Sequence, residues 1–198
     1  MNELEYIINK TLYGTSDSDK HLLPLYSLVI ASNAKNIIEL GTRHATTALP
    51  LIMGAEKTGG FVYTVDIMDC SHDINKMVSE RFKPFYEFVH QDAILFLQNW
   101  DPKKSIDLIF IDDWHSYEHV KKELEIINGL VSTRTIILLH DLMYETDPEY
   151  HSDLNAIPEF GNGGPCRAVF ELDPKIWEFS TLPWNNGLTI LRKKLIIL

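Results

Sequence analysis

Acids and histidines recur in this sequence at the ends of short runs rich in Ile, Val and Phe. Glu39 opens Glu39-Leu40-Gly41-Thr42-Arg43-His44-Ala45-Thr46-Thr47, and Asp66 follows Val65. Asp92 follows His90-Gln91, Asp112-Asp113-Trp114-His115 follows Ile111, and His140-Asp141 follows Leu139. In an open parallel sheet ligands bind outside the C-terminal strand ends, so these are the places where chemistry is expected. Gly41 lets backbone approach a ligand, and Thr46 and Thr47 are expected to open a helix. An ordinary turn needing a glycine explains that stretch equally well. A carboxylate placed as Asp66 is can accept both hydroxyls of a ribose. Asp92 can accept the amino group of an adenine or simply cap the next helix. No single position decides between these readings.

The elements that must position these residues follow from hydrophobic patterning. Asn36 to Leu40, Phe61 to Val65, Tyr86 to Val89, Ile106 to Ile111 and Thr135 to Leu139 read as strands; three are nearly continuous in apolar residues, as strands covered on both faces are. Between them Thr46 to Ala55, Asp73 to Phe82, Ala93 to Trp100 and Ser116 to Leu130 have helical spacing, which predicts βαβ units. Trp177 to Leu182 and Leu188 to Leu191 flank an Asn-Gly-containing turn and read as an antiparallel hairpin, preceded by a short helix over Cys166 to Leu172. Leu4 to Leu12 and His21 to Ala34 read as helices that could cover the site, the second capped by Asp17-Ser18-Asp19. The expected fold is α/β: a Rossmann-like, doubly wound, mostly parallel seven-stranded sheet with a C-terminal antiparallel hairpin and N-terminal helices. A single domain is expected, made of a helical cap (1–35), a core (36–142), a loop (143–164) and a terminal helix with hairpin (165–198).

Bulk composition narrows the partners. A chain of 198 residues, 45% hydrophobic, can bury one core without disulfides. Its 28 acidic against 18 basic side chains give a net charge of -10, which argues against nucleic acid. Two cysteines, Cys70 and Cys166, form no framework and suit a reducing cytoplasm. Neither a secretory signal nor a stretch of membrane-spanning length is expected.

The order of the motifs resembles the metal-dependent O-methyltransferases, in particular the group that includes macrolide-sugar methyltransferases and so-called cephalosporin hydroxylases. The stretches that carry the resemblance are IIELGTRHATTA, VYTVDI, HQDA, IDLIFIDDWHSYEHVKKEL and TIILLHDL, spanning about Asn36 to Leu142. The resemblance implies a class I enzyme using S-adenosylmethionine (SAM). Glu39, Gly41, Thr42, Arg43, Thr46 and Thr47 would hold the methionine end, Asp66 the ribose and Asp92 the adenine, with Asp112 and Asp113 also against the cofactor. It further implies that Asp112, His140 and Asp141 ligate Mg²⁺ or Mn²⁺, and that His115 is the base, with Asp112 beside it in catalysis. Such chemistry needs an acceptor oxygen aligned behind the sulfur–methyl bond and partly deprotonated.

This chain departs from that pattern in two places: Ala45 replaces a second glycine, which should narrow backbone approach to the cofactor, and His140 replaces an acid, which weakens a hard-cation site. These departures motivate a rival reading, a silent relative that keeps the fold as a binding module. A nicotinamide-dependent oxidoreductase is disfavoured because Gly41 to Ala45 lacks Gly-x-Gly-x-x-Gly spacing. His21, His72, His119 and His151 are expected on the surface, as are Lys121 and Lys122, and Trp114 is expected to pack in preference to stacking on adenine or lining the acceptor pocket. The loop Met143 to Gly164 is expected to close over a neutral or cationic hydroxyl-bearing acceptor, and the resemblance implies a sugar first and a phenol second. A homo-oligomer is a further expectation.

Overall fold

A computed structural model describes residues 2–143 and 163–195. Five strands, β1 (Asn36–Leu40), β2 (Phe61–Asp66), β3 (Tyr86–His90), β4 (Leu108–Ile111) and β5 (Ile136–His140), run parallel. Strands β6 (Trp177–Leu182) and β7 (Leu188–Lys193) form the hairpin, and β7 pairs antiparallel with β5. The sheet order is β3-β2-β1-β4-β5-β7-β6, so the seven-stranded, mostly parallel expectation holds. The order reverses between β1 and β4, which opens the crevice where ligands bind in such sheets.

Continuous apolar runs in β1, β4 and β5 have their reason in two cores, one on each face. On one face Ile37, Leu108, Phe110 and Leu138 pack with Leu22, Leu25 and Val29 of α2 (Leu22–Ser32) and with α3 (Ala48–Thr58), whose residues 48–55 are all buried. On the other, Ile38, Ile109, Ile111 and Leu139 meet Val120, Leu124 and Ile127, the apolar stripe of the helix over Tyr117–Leu130. Fully burying each such side chain contributes on the order of 2 kcal/mol.

Several local expectations are corrected. The helix expected over Asp73 to Phe82 is α4 (Ser71–Met77), stopped by the extended backbone of Val78 and followed by a 3₁₀ turn over Glu80–Phe85. After α5 (Ala93–Gln98) and α6 (Tyr117–Leu130), the terminal helix α7 spans Gly164–Phe170. Asp17, Ser18 and Asp19 do not cap α2. Instead Asp19 is buried, accepts the Ser16 N–H at 2.9 Å and pairs with Lys10 at 3.7 Å, anchoring the turn that links α1 (Glu3–Tyr13) to α2. The cap the sequence reading missed is Asn2, reciprocally bonded with Glu5 at the start of α1. Most of the loop expected to cover the acceptor, with Tyr144, Tyr150 and Phe160, lies outside the described residues, as does His151. No helix of the described residues is long and apolar enough to cross a membrane.

Candidate active site

A cavity of about 560 Å³ opens over the C-terminal ends of β1, β2, β4 and β5, within the size range of small-molecule sites. Its walls are residues 41–44 with Thr46 and Thr47, then Asp66 to Met68, Asp92, Asp112 to His115, and Asp141. The segment 16–18, between α1 and α2, also reaches it, so the N-terminal helices do border the site.

The 41–47 loop is held from below by a buried polar chain. Glu39 is fully buried; its Oε1 accepts the Thr47 hydroxyl at 2.7 Å and its Oε2 the Thr64 hydroxyl at 2.6 Å, and Thr64 in turn meets Thr42 at 2.6 Å. Burial pushes the Glu39 carboxyl up to about 8 against the pull of those two hydroxyls. Glu39 does not line the cavity, so the structure makes it an anchor of the loop, not a direct contact for a ligand. Gly41 has φ +96°, and a Cβ there would lie 2.1 Å from the Asp112 carbonyl oxygen; this glycine lets the β1 and β4 loops touch. Arg43 and Ala45 also take left-handed backbone, with φ of 41° and 57°. Ala45 is fully buried in the α3-side core and absent from the cavity wall. Its methyl therefore does not narrow the approach to a ligand, contrary to expectation.

Asp66 accepts the Arg43 N–H on one oxygen and the Met68 N–H on the other, both at 2.8 Å. Each oxygen keeps a second lone pair for a ligand hydroxyl. Asp92 Oδ1 caps α5 through the Leu95 N–H at 2.9 Å, the simpler of the two expected duties, and the residue also lies on the cavity wall.

The charged centre joins three chain segments. His115 Nε2 lies 2.8 Å from Asp141 Oδ2 and 3.3 Å from Asp112 Oδ1. His140 Nδ1 lies 3.0 Å from Asp141 Oδ1 and 3.3 Å from Asp112 Oδ1. Asp141 adopts φ 63°, an uncommon left-handed conformation at the end of β5. Burial alone would push the His140 imidazole down, but the two carboxylates outweigh it and hold it well above the ordinary histidine value. The same carboxylates would rise on burial, yet the two imidazoles keep both Asp112 and Asp141 below their usual range.

Asp112, His115 and Asp141 offer ligand atoms that all lie within 4.8 Å of one another. His140 was expected in that set, but it is 2% exposed and off the cavity wall, so it supports the carboxylates from behind while His115 shares the cavity with them. Behind it, His21, expected on the surface, is fully buried with its ring 5.1 Å from that of His140 and its Nε2 3.2 Å from the Asn185 carbonyl oxygen. Burial, with the charge of His140, lowers the His21 pKa. Trp114 is 48% exposed and lines the cavity, the alternative to the packing that the sequence favoured. Lys121 is half-exposed as expected, but it bonds the Tyr117 hydroxyl at 2.6 Å and Glu171 at 3.2 Å, tying α6 to α7.

The sequence reading also missed His119. It lies on α6, forms an ion pair with Asp113 at 2.9 Å and lines the cavity. Its i,i+4 relation to Glu123 was the available signal.

The model of a family described as "Methyltransferase domain" matches residues 38–142. Among solved structures, the chain is similar to a putative caffeoyl-CoA O-methyltransferase from Staphylococcus aureus (19% identity, TM-score 0.71, covering 88% of this chain and 83% of that one). It is similar to a methyltransferase from Podospora anserina bound to SAH (20% identity, TM-score 0.69, 98% and 88% covered). It is also similar to an O-methyltransferase of tomaymycin synthesis from Streptomyces achromogenes in complex with SAM (15% identity, TM-score 0.72, 98% and 90% covered). No curated protein matches.

Proposed function

The chain belongs to the methyltransferase-domain family, and on that premise we propose that it transfers the methyl group of SAM to a hydroxyl oxygen of a small acceptor. The observation that carries this reading is the sharing of one cavity by groups suited to a nucleoside, Asp66 and the 41–47 loop, and a group suited to handling a proton, His115, flanked by Asp112 and Asp141. Similar folds hold SAM or SAH in the Podospora and Streptomyces proteins, which supports the cofactor.

Asp66 would receive the ribose hydroxyls, Asp92 Oδ2 the adenine amino group, and the loop N–H groups the methionine end. Methyl transfer breaks the sulfonium S–CH₃ bond and forms an O–CH₃ bond; the hydroxyl proton passes to the His115 imidazole, whose Nε2 already faces the Asp141 carboxylate, and S-adenosylhomocysteine (SAH) leaves. Asp141, 2.8 Å away, stabilises the imidazolium that forms. Proton transfer by a positioned base supplies about 10²–10⁴ in rate, and alignment supplies more.

The residues present also fit a divalent ion. Asp112, His115 and Asp141 would hold it, and their one-nitrogen, two-oxygen set suits Mn²⁺ better than Mg²⁺. Such an ion would lower the acceptor's pKa and fix its direction. With Nε2 given to the ion, the imidazole would keep its proton on Nδ1 and would no longer serve as a base, so the two duties exclude each other at His115.

The acceptor is proposed to be a neutral or cationic hydroxyl-bearing molecule because the cavity lining and the net charge of -10 are acidic, and the resemblance to macrolide-sugar methyltransferases puts a sugar before a phenol. A reducing cytoplasm and a homo-oligomeric state are part of the same proposal. Calorimetry with SAM and SAH, with and without Mn²⁺ and Mg²⁺, tests the cofactor. Binding is expected for both molecules, and no heat at high micromolar ligand refutes the reading. Transfer of labelled methyl to a panel of sugars and phenols then tests the acceptor.

A further inference from the structure

A second cluster borders the cavity beside the first. Asp113 comes from the β4 end; His119 and Glu123 come from successive turns of α6 and therefore share one face of it. Their ligand atoms lie within 4.8 Å of one another: His119 Nε2 is 2.9 Å from Asp113 Oδ2 and 3.6 Å from Glu123 Oε1. Glu123 is fully buried, and among the described residues neither of its oxygens, nor Asp113 Oδ1, has a hydrogen-bond partner. A buried carboxylate without hydrogen bonds is costly, by several kcal/mol unless a cation compensates. One imidazole faces the two carboxyl groups here, and burial pushes the Glu123 carboxyl up to about 8.

We propose that Asp113, His119 and Glu123 form a second divalent-cation site, for a transition ion such as Zn²⁺, with its open coordination position facing the cavity. The donor set is one imidazole and two carboxylates, three protein ligands that would leave zinc a fourth position for a further ligand. A tetrahedron with bonds of about 2.1 Å has edges of about 3.4 Å, so the observed separations close on an ion with small side-chain adjustments. Asp113 and His119 line the cavity whereas Glu123 does not, which places the closed side of the site in the core. An ion there would fix the 112–115 turn to α6, and with it the residues of the neighbouring cluster.

The proposal stands apart from the methyl acceptor, and metal counting tests it. The full chain is stripped with a chelator and titrated with Zn²⁺ in competition with a chromogenic chelator, with folding followed by circular dichroism. Asp113→Asn and His119→Gln, both at partly exposed positions, should each lower the stoichiometry by one equivalent per chain or weaken that equivalent about 100-fold or more. Asp141→Asn, which alters only the neighbouring cluster, should leave that equivalent in place. Unchanged stoichiometry and affinity in both Asp113→Asn and His119→Gln would overturn the site, leaving the His119 proton as the only cation. Loss of the same equivalent in Asp141→Asn would overturn it too, because one ion would then be serving both clusters.

Discussion

Replacing Glu39 by Gln should stabilise this protein at alkaline pH and leave it nearly unchanged under acid conditions. A carboxyl raised in the folded chain holds its proton more tightly there than in the unfolded chain. The wild type therefore loses stability as pH climbs from the unfolded value near 4.5 to about 8, and none of that loss is present below the window. A gap of about 3.5 pKa units, at about 1.4 kcal/mol each, sets an upper limit of about 5 kcal/mol. Glutamine is isosteric with the protonated acid; its oxygen can accept from Thr47, and its amide can donate to Thr64, which turns its own hydroxyl to Thr42. Urea unfolding of both proteins, followed by tryptophan fluorescence at about pH 5 and about pH 8, reads the difference directly. Other groups titrate in this range, but they do so in both proteins and cancel in the comparison. The variant's advantage should be about 1 kcal/mol or less at the lower pH and should grow by about 3 kcal/mol at the higher one. A variant destabilised equally at both pH values would refute the reasoning, since Glu39 would then be an ionised acceptor that the two hydroxyls fully compensate.

Gly41→Ala should cost about 3 kcal/mol or more and abolish cofactor binding, because its φ of +96° and the 2.1 Å approach to the Asp112 carbonyl oxygen both exclude a methyl. Gly129→Ala, inside α6 with nothing within 4 Å, should instead stabilise by up to about 1 kcal/mol; the two urea midpoints should move in opposite directions. His115→Ala should reduce kcat by about 10²–10⁴ while SAM affinity stays within a few-fold, and loss of both in one titration would make His115 structural. If Mn²⁺ affinity falls in that variant as well, His115 serves as ligand and not as base. Asp66→Asn should weaken SAM about 10-fold or more in calorimetry, since the amide offers one acceptor where the carboxylate offers two.

The fold was legible because its signals are local and repeated. Continuous apolar runs such as Leu108–Ile111 need cover on both faces, and the Asn-Gly turn after Trp184 needs left-handed backbone, found at Asn185, Asn186 and Gly187. The errors came where a local signal had a distant partner. Asp17 to Asp19 look like caps, but Asp19 turns back to Ser16 and Lys10. The break after Met77 has no proline at that position to announce it.

The site was legible in residue types more than in duties. Strand-end position alone brought Asp66, Asp92, Asp112, His115 and Asp141 to one cavity, since parallel strands deliver their C-terminal residues to the same edge. Depth was not readable. His140 ends a strand as Asp66 does, yet strand β7 and His21 cover it, and only a tertiary contact says so. The same blindness hid His119 and Glu123, which a polar helix face presents as solvated but which α6 buries against the β4 turn. One physical consequence links both misreadings. An imidazole pressed against two carboxylates brings a positive charge to each cluster: His140 from behind the first, and His119 within the second, where cation and proton would compete. Affinity for the proposed ions should therefore rise with pH as the imidazole in the ion's place surrenders its proton. Zn²⁺ and Mn²⁺ affinity measured across pH should increase steeply, and a flat profile would mean that the histidines do not share the ion's place.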